Sequence, residues 1–206
     1  MINTIFGKKI GMTRYFITEG QCVPVTIVKV DPCVVIQKKT AEKDGYEAIQ
    51  VGFEEQKEKR INKPLKGHFK KAGNKCYSNL REIRVENSDE FELGQEIKAD
   101  VFQIGESVKV SGKSKGRGFS GVIKRWGFGG GRKTHGSRSH RVPGSIGSSA
   151  TPSRVRKGQK LPGRMGDQKI KIKNIQILDI RPDMNVIALK GNLPGSRNTV
   201  IEISRI

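Results

Sequence analysis

Carboxylates are almost missing from one long stretch of this sequence. From Ser111 to Ile170 there is a single acid, Asp167, against fifteen basic residues: Lys113, Lys115, Arg117, Lys124, Arg125, Arg132, Lys133, Arg138, Arg141, Arg154, Arg156, Lys157, Lys160, Arg164 and Lys169. The stretch therefore carries +14 of the chain's formal +20. With one carboxylate it offers no acid–base pair, and its serines stand among glycines and cations with no spacing that supplies a base. No catalytic constellation is visible, and an enzyme is not expected. Cysteine is scarce as well. Cys22, Cys33 and Cys76 are odd in number, widely spaced and outside any C-x-x-C pair, so they encode neither a disulfide framework nor a zinc ribbon and are expected as reduced, partly buried thiols. His135 and His140 have the separation of the second half of a zinc finger, but no cysteine pair precedes them and no third ligand is near, so no metal or other cofactor is expected. No apolar run approaches the roughly twenty residues of a membrane-spanning helix. The opening MINTIFGKKIGM lacks the charged start, long apolar middle and small-residue cleavage site of a signal peptide. The expected compartment is the cytoplasm, with neither a membrane nor a small-molecule substrate as partner.

Long helical patterns are also missing. Residues 1–55 read instead as short strands: an opening hairpin or bent strand around Gly7-Lys8-Lys9, then CVPVTIVKV ended by Asp31-Pro32, then PCVVIQKKT, then Tyr46 to Phe53. Residues 56–77 form a basic excursion with too few apolar positions for a stable helix, and one helical turn is expected there. Further strands follow at Leu80 to Val85 and Ser107 to Ser111. Near the end, KIKIKNIQILDI switches parity between Ile172 and Ile175, which predicts a bulge near Lys173-Asn174. Pro182-Asp183-Met184-Asn185 predicts a hairpin turn into VIALKG, and Val200, Ile201 and Ile203 a closing strand. The expected fold is a single, mainly β domain: a small antiparallel β-barrel from about 1–55, 78–126 and 167–206, interrupted by a long irregular basic loop over 127–166.

That loop has no helical or strand period in its few apolar residues, so it buries no core of its own and needs another molecule to order it. Its Gly116-Arg117-Gly118-Phe119-Ser120-Gly121 matches G-x-G-x-x-G after a strand, but no helix and ribose-binding acid follow at the required distance. Gly112-Lys113-Ser114 resembles the end of a P-loop, yet the required first glycine would fall at Ser107. What remains is a basic tract interleaved with Phe119, Trp126, Phe128, His135 and His140, side chains that stack on bases while Arg and Lys contact phosphate. Trp126 has a second reading as a hydrophobic plug at the loop base, packed with Val122 and Ile123. Fourteen net charges on sixty residues repel one another strongly without a polyanion, so a nucleic acid is the expected partner. The residues expected to bind it are Lys113, Lys115, Arg117, Lys124, Arg125, Trp126, Arg132, Lys133, His135, Arg138, His140, Arg141, Arg154, Arg156, Lys157, Lys160 and Arg164. Composition alone stops at RNA or DNA.

The segments GKSKGRGFSGVIKRWGF, GSRSHRVPGSIG and KGQKLPGRMG closely resemble successive signatures of the large-subunit ribosomal protein L three family in its bacterial form. The resemblance extends to IFGKKIGMTRYF, KPLKGHFKKAG and KGNLPGSRN, and so runs nearly end to end. It implies a barrel like that of translation factors, seated on large-subunit ribosomal RNA beside neighbouring ribosomal proteins, with an extension running toward the peptidyl transferase centre. It also implies binding early in subunit assembly and no chemical step. Three positions depart from the family pattern. Ser148-Ser149-Ala150 stands where bacterial members often carry glutamines, one of which can be methylated, so that modification is not carried over. Lys109 replaces a favoured Asp or Asn. Arg156 replaces an aromatic, exchanging stacking for phosphate contact.

Overall fold

The computed structural model describes residues 3–17, 20–73 and 75–206. In chain order the elements are β1 (Thr4–Phe16), β2 (Cys22–Lys29), β3 (Cys33–Lys39), α1 (Ala41–Asp44), β4 (Ala48–Glu55), α2 (Lys63–Phe69), β5 (Tyr77–Arg84), β6 (Glu96–Ile97), β7 (Ser107–Lys113), β8 (Phe119–Ser120), α3 (Val122–Trp126), β9 (Gly163–Arg164), β10 (Lys169–Arg181), β11 (Val186–Lys190) and β12 (Val200–Arg205). They fall into two compact units, residues 1–113 with 169–206, and residues 114–168.

Six strands of the first unit close into an antiparallel barrel in the order β1-β12-β7-β10-β11-β2. Closure leaves no free sheet edge where the strands overlap, and alternate side chains fill the interior. Val108 and Val110 of β7, Ile175 and Ile177 of β10, Ile187 and Leu189 of β11, and Ile201 and Ile203 of β12 are all buried. The parity switch in β10 is a bulge: the register slips between Ile172 and Ile175, and Asn174 adopts a positive φ of 57°. Pro182–Met184 forms a single 3-10 turn, closed by left-handed Asn185, and returns the chain as β11. β1 is one bent strand rather than a hairpin, with its irregularity between Lys9 and Gly11.

The apolar pattern alone places about 1–55, 78–126 and 167–206 in one barrel. Strands β3, β4, β5 and β6 instead pair with one another in a second sheet of order β5-β4-β3-β6. Alternation shows that a strand has a buried face, but not which edge it joins. The two sheets share one core, in which Phe6 of β1 stacks on Phe53 of β4 with ring centroids 5.3 Å apart. Cys33 lies within this core, and burial pushes its thiol up to about 11, which keeps it protonated and inert at neutral pH. Cys76 is also buried, while Cys22 is exposed.

The excursion at 56–77 is more ordered than its composition predicts. α2 runs for seven residues, with Pro64 in its first turn where no amide bond is lost. Phe69 anchors it by packing with Ile36 and Cys76, joined by Ile61, Ala72, Tyr77 and Leu80 in a small second core. Residues 99–101 form a 3-10 turn. Among the described residues no helix is long and apolar enough to cross a membrane.

Candidate nucleic-acid interface

Two antiparallel segments form the base of the second unit. Ser114 N–H donates to Gln168 O at 2.9 Å, Arg117 N–H to Met165 O at 2.9 Å, and Met165 N–H to Gly118 O at 2.9 Å, after which β8 pairs with β9. The left-handed turn at Asp167 (φ 58°) places its carboxylate against the Arg164 guanidinium. The stretch's single acid is thus engaged within the unit.

α3 follows β8 and lasts five residues before left-handed Gly127 ends it. Arg125 and Trp126 leave this helix toward the returning chain, and both donate to Leu161 O, from Nη1 at 2.7 Å and from Nε1 at 2.9 Å. The Arg125 guanidinium lies 5.0 Å from the Trp126 ring centroid and the Lys160 ammonium 5.9 Å from it. Gly163 makes room for this cluster, since a Cβ there would stand 2.6 Å from Arg125 Nη1. Trp126 remains 43% exposed, so it is not a plug; the apolar neighbour that is buried is Val122. One indole edge is fixed by its hydrogen bond, and much of the ring is left open to solvent.

Beyond α3, residues 127–162 contain no helix or strand. A second crossing stiffens the segment near 130–140: Gly131 N–H donates to His140 O at 3.2 Å, and His140 Nδ1 lies 2.8 Å from Arg132 O. Gly130 has φ 78°, and a Cβ there would approach His140 O to 2.6 Å, so only glycine fits the crossing. From Arg138 to Lys160 every residue is exposed, including Val142, Ile146 and Val155. Between Arg141 and Gly158, among the described residues, the backbone makes local contacts at most: Gly147 N–H donates to Ser145 Oγ at 3.4 Å, and residues 150–152 form a turn. Backbone polar groups left this open are available to a partner or to water.

Of the seventeen residues expected to bind nucleic acid, Lys113 lies at the end of β7 in the first unit and the other sixteen in the second. All are exposed except Arg125, which is partly covered. Lys115, Arg117 and Arg164 line the two base segments, and Lys124, Arg125, Trp126 and Lys160 gather around α3. Arg132, Lys133, His135, Arg138, His140 and Arg141 surround the glycine crossing, while Arg154, Arg156 and Lys157 occupy the outer, fully exposed segment. The unit carries thirteen Lys and Arg against one acid, +12 in all.

Two cationic features lie outside the residues that the sequence marks as binding nucleic acid. One is the group on and around α2, although the composition of 57–71 is basic. The other is Arg197, exposed on the loop between β11 and β12. That loop is fixed by Lys9, whose buried ammonium donates to Leu193 O at 2.8 Å, Gly195 O at 3.4 Å and Asn192 Oδ1 at 3.4 Å. The segment KGNLPGSRN gave its sequence signal, but nothing local showed that a lysine from β1 would hold it.

Residues 82–188, which include the whole of the second unit, match the model of the family described as Ribosomal protein L3. The chain belongs to that family. Relatives match far beyond this region: the large ribosomal subunit protein uL3 of Thermotoga maritima is 54% identical over 199 residues, covering 97% of this chain and 95% of the relative. The protein of the same name from Desulforapulum autotrophicum is 53% identical over 205 residues, covering 100% and 99%. That from Syntrophus aciditrophicus is 52% identical over 205 residues, covering 100% and 94%. The similarity therefore takes in the barrel, the second sheet and the basic unit together.

Proposed function

We propose that the chain is a non-enzymatic structural constituent of the large ribosomal subunit, cytoplasmic and bound to large-subunit ribosomal RNA beside other ribosomal proteins. In this reading it joins early in assembly and carries residues 127–166 toward the peptidyl transferase centre. The observation that supports it best is the uninterrupted exposure of Arg138 to Lys160, which holds six Lys and Arg and no acid in a member of the L3 family.

The mechanism follows from charge and shape. Lys and Arg displace counterions from phosphates, which supplies affinity as released-ion entropy. Glycines admit close approach of the backbone, and exposed amides such as those between Arg141 and Gly158 donate to phosphate and ribose oxygens. Phe119, 79% exposed, and Trp126 offer faces for unstacked bases. Forty residues doubled back give about twenty per arm, a reach of at most roughly 65 Å at about 3.3 Å per residue. Such a reach carries the tip deep into a large RNA.

The test is the salt dependence of binding to large-subunit RNA. With roughly ten phosphates neutralised, the log–log slope is expected to be on the order of −7 to −9. A nearly flat dependence contradicts the mechanism, and equal affinity for duplex DNA would make the chain a general nucleic-acid compactor instead.

A further inference from the structure

Resting on that reading, we propose a second, separate RNA-binding surface in the first unit: a preformed basic platform on α2 and the turn before it, which takes the phosphate backbone of double-stranded RNA. Residues 57–71 hold seven cations, Lys57, Lys59, Arg60, Lys63, Lys66, Lys70 and Lys71, against one acid, Glu58.

The fold determines which of these face outward. Ile61, Phe69 and Ala72 pack into the small core with Ile36 and Cys76, so one face of the segment is tied to the sheet. Phe69 meets the Tyr77 ring edge-on at 6.0 Å, and His68 Nε2 lies 2.6 Å from Gln50 Oε1, which fixes the helix from β5 and from β4. With that face committed, Lys57, Lys59, Arg60, Lys63, Lys70 and Lys71 are all exposed. Glu58 does not cancel them. Lys66 bonds it at 2.9 Å, and that bond, with the charges of Lys66 and Lys70, holds its carboxyl below the usual range. Lys66 and Glu58 neutralise each other, and the six exposed cations remain.

Charge complementarity selects a polyanion, and the side chains present select its form. The platform shows no open aromatic face: Phe69 is buried, and Tyr77 is partly covered and packed against Phe69. It therefore lacks the stacking surfaces that recognise unstacked bases, which the second unit has in Phe119 and Trp126. A short helix and its flanking turns, packed on their own small core and bearing Lys and Arg without such surfaces, fit phosphates along a duplex, where recognition is by shape and charge. The platform's order comes from its own core, so it is available before the second unit engages RNA.

The test uses the full chain in two variants. One carries Lys59→Gln, Arg60→Gln, Lys63→Gln, Lys70→Gln and Lys71→Gln; the other carries Arg154→Gln, Arg156→Gln, Lys157→Gln, Lys160→Gln and Arg164→Gln. Unchanged circular dichroism and melting show that both fold. The platform variant is expected to lose about 0.7–0.9 of salt slope per lost phosphate contact, on the order of 3.5–4.5 if all five cations make one, when bound to large-subunit RNA. An unrelated RNA duplex added as competitor is expected to weaken the parent protein and to have much less effect on the platform variant. Backbone footprints are expected to vanish at one set of nucleotides for each variant. A platform variant with unchanged slope and footprints beside a weakened second-unit variant overturns the inference alone and assigns the surface to a non-RNA partner such as an acidic protein. If neither variant changes the slope, the RNA-binding reading itself fails.

Discussion

The two units use the same chain to opposite ends. In residues 1–113 and 169–206, β-branched residues alternate along strands and close a barrel whose interior positions, such as Val110, Ile177, Leu189 and Ile203, have no exposed surface. In residues 114–168 two residues, Ser120 and Val122, are buried, and twenty-three in succession, Arg138 to Lys160, are exposed. The first unit is stabilised by apolar area removed from water. The second is held by a short ladder, one glycine crossing and the bonds of Arg125 and Trp126 to one carbonyl, with few apolar groups to hide. A segment of that kind is shaped for another molecule's surface rather than for its own interior.

The contrast breaks most visibly by removing volume from the barrel. Leu189→Ala deletes a fully buried side chain in β11 and is expected to cost about 2–5 kcal/mol, read as a lower urea midpoint. A smaller loss is expected for Lys9→Ala, on the order of 1–3 kcal/mol, because Leu193 O loses its bond to the buried ammonium and Gly195 O its longer one. The same substitution frees the loop that presents Arg197, so chemical denaturation and RNA affinity should fall together. Val155→Ala sharpens the comparison from the other side. It removes an apolar side chain 44% exposed in the second unit, and its melting curve should match the parent within about 0.5 kcal/mol. A core-sized loss at Val155 would mean that the second unit packs as the first does.

Much of this division was legible in the residues. The strands of the barrel, the bulge beside Asn174 and the turn at Asn185 follow from apolar parity and turn chemistry, both local properties. The partner of each strand was not legible. Cys33–Lys39 and Ala48–Glu55 look like barrel strands, and their assignment to a second sheet is decided by long-range pairing after the break at Asp31-Pro32. α2 looked too polar to persist because its anchor, Phe69, finds Ile36 of β3 and Cys76 just before β5. For the basic unit, composition marked the cations and aromatics, and the resemblance named their partner. The cluster in which Arg125 and Trp126 share Leu161 O could not be read, since it joins positions thirty-five and thirty-six apart across an irregular chain.

Amide hydrogen exchange on the intact protein, alone and then bound to large-subunit RNA, tests the central claim most directly. In the free protein, Val23 to Val30 and Ile175 to Ile180 should exchange slowly behind barrel ladders, while Arg141 to Gly158, with almost no internal acceptors, should exchange fast. On binding RNA, protection should rise across 127–166 and change little in the barrel strands. Strong protection of 141–158 in the free protein, or none gained in the complex, would contradict the account.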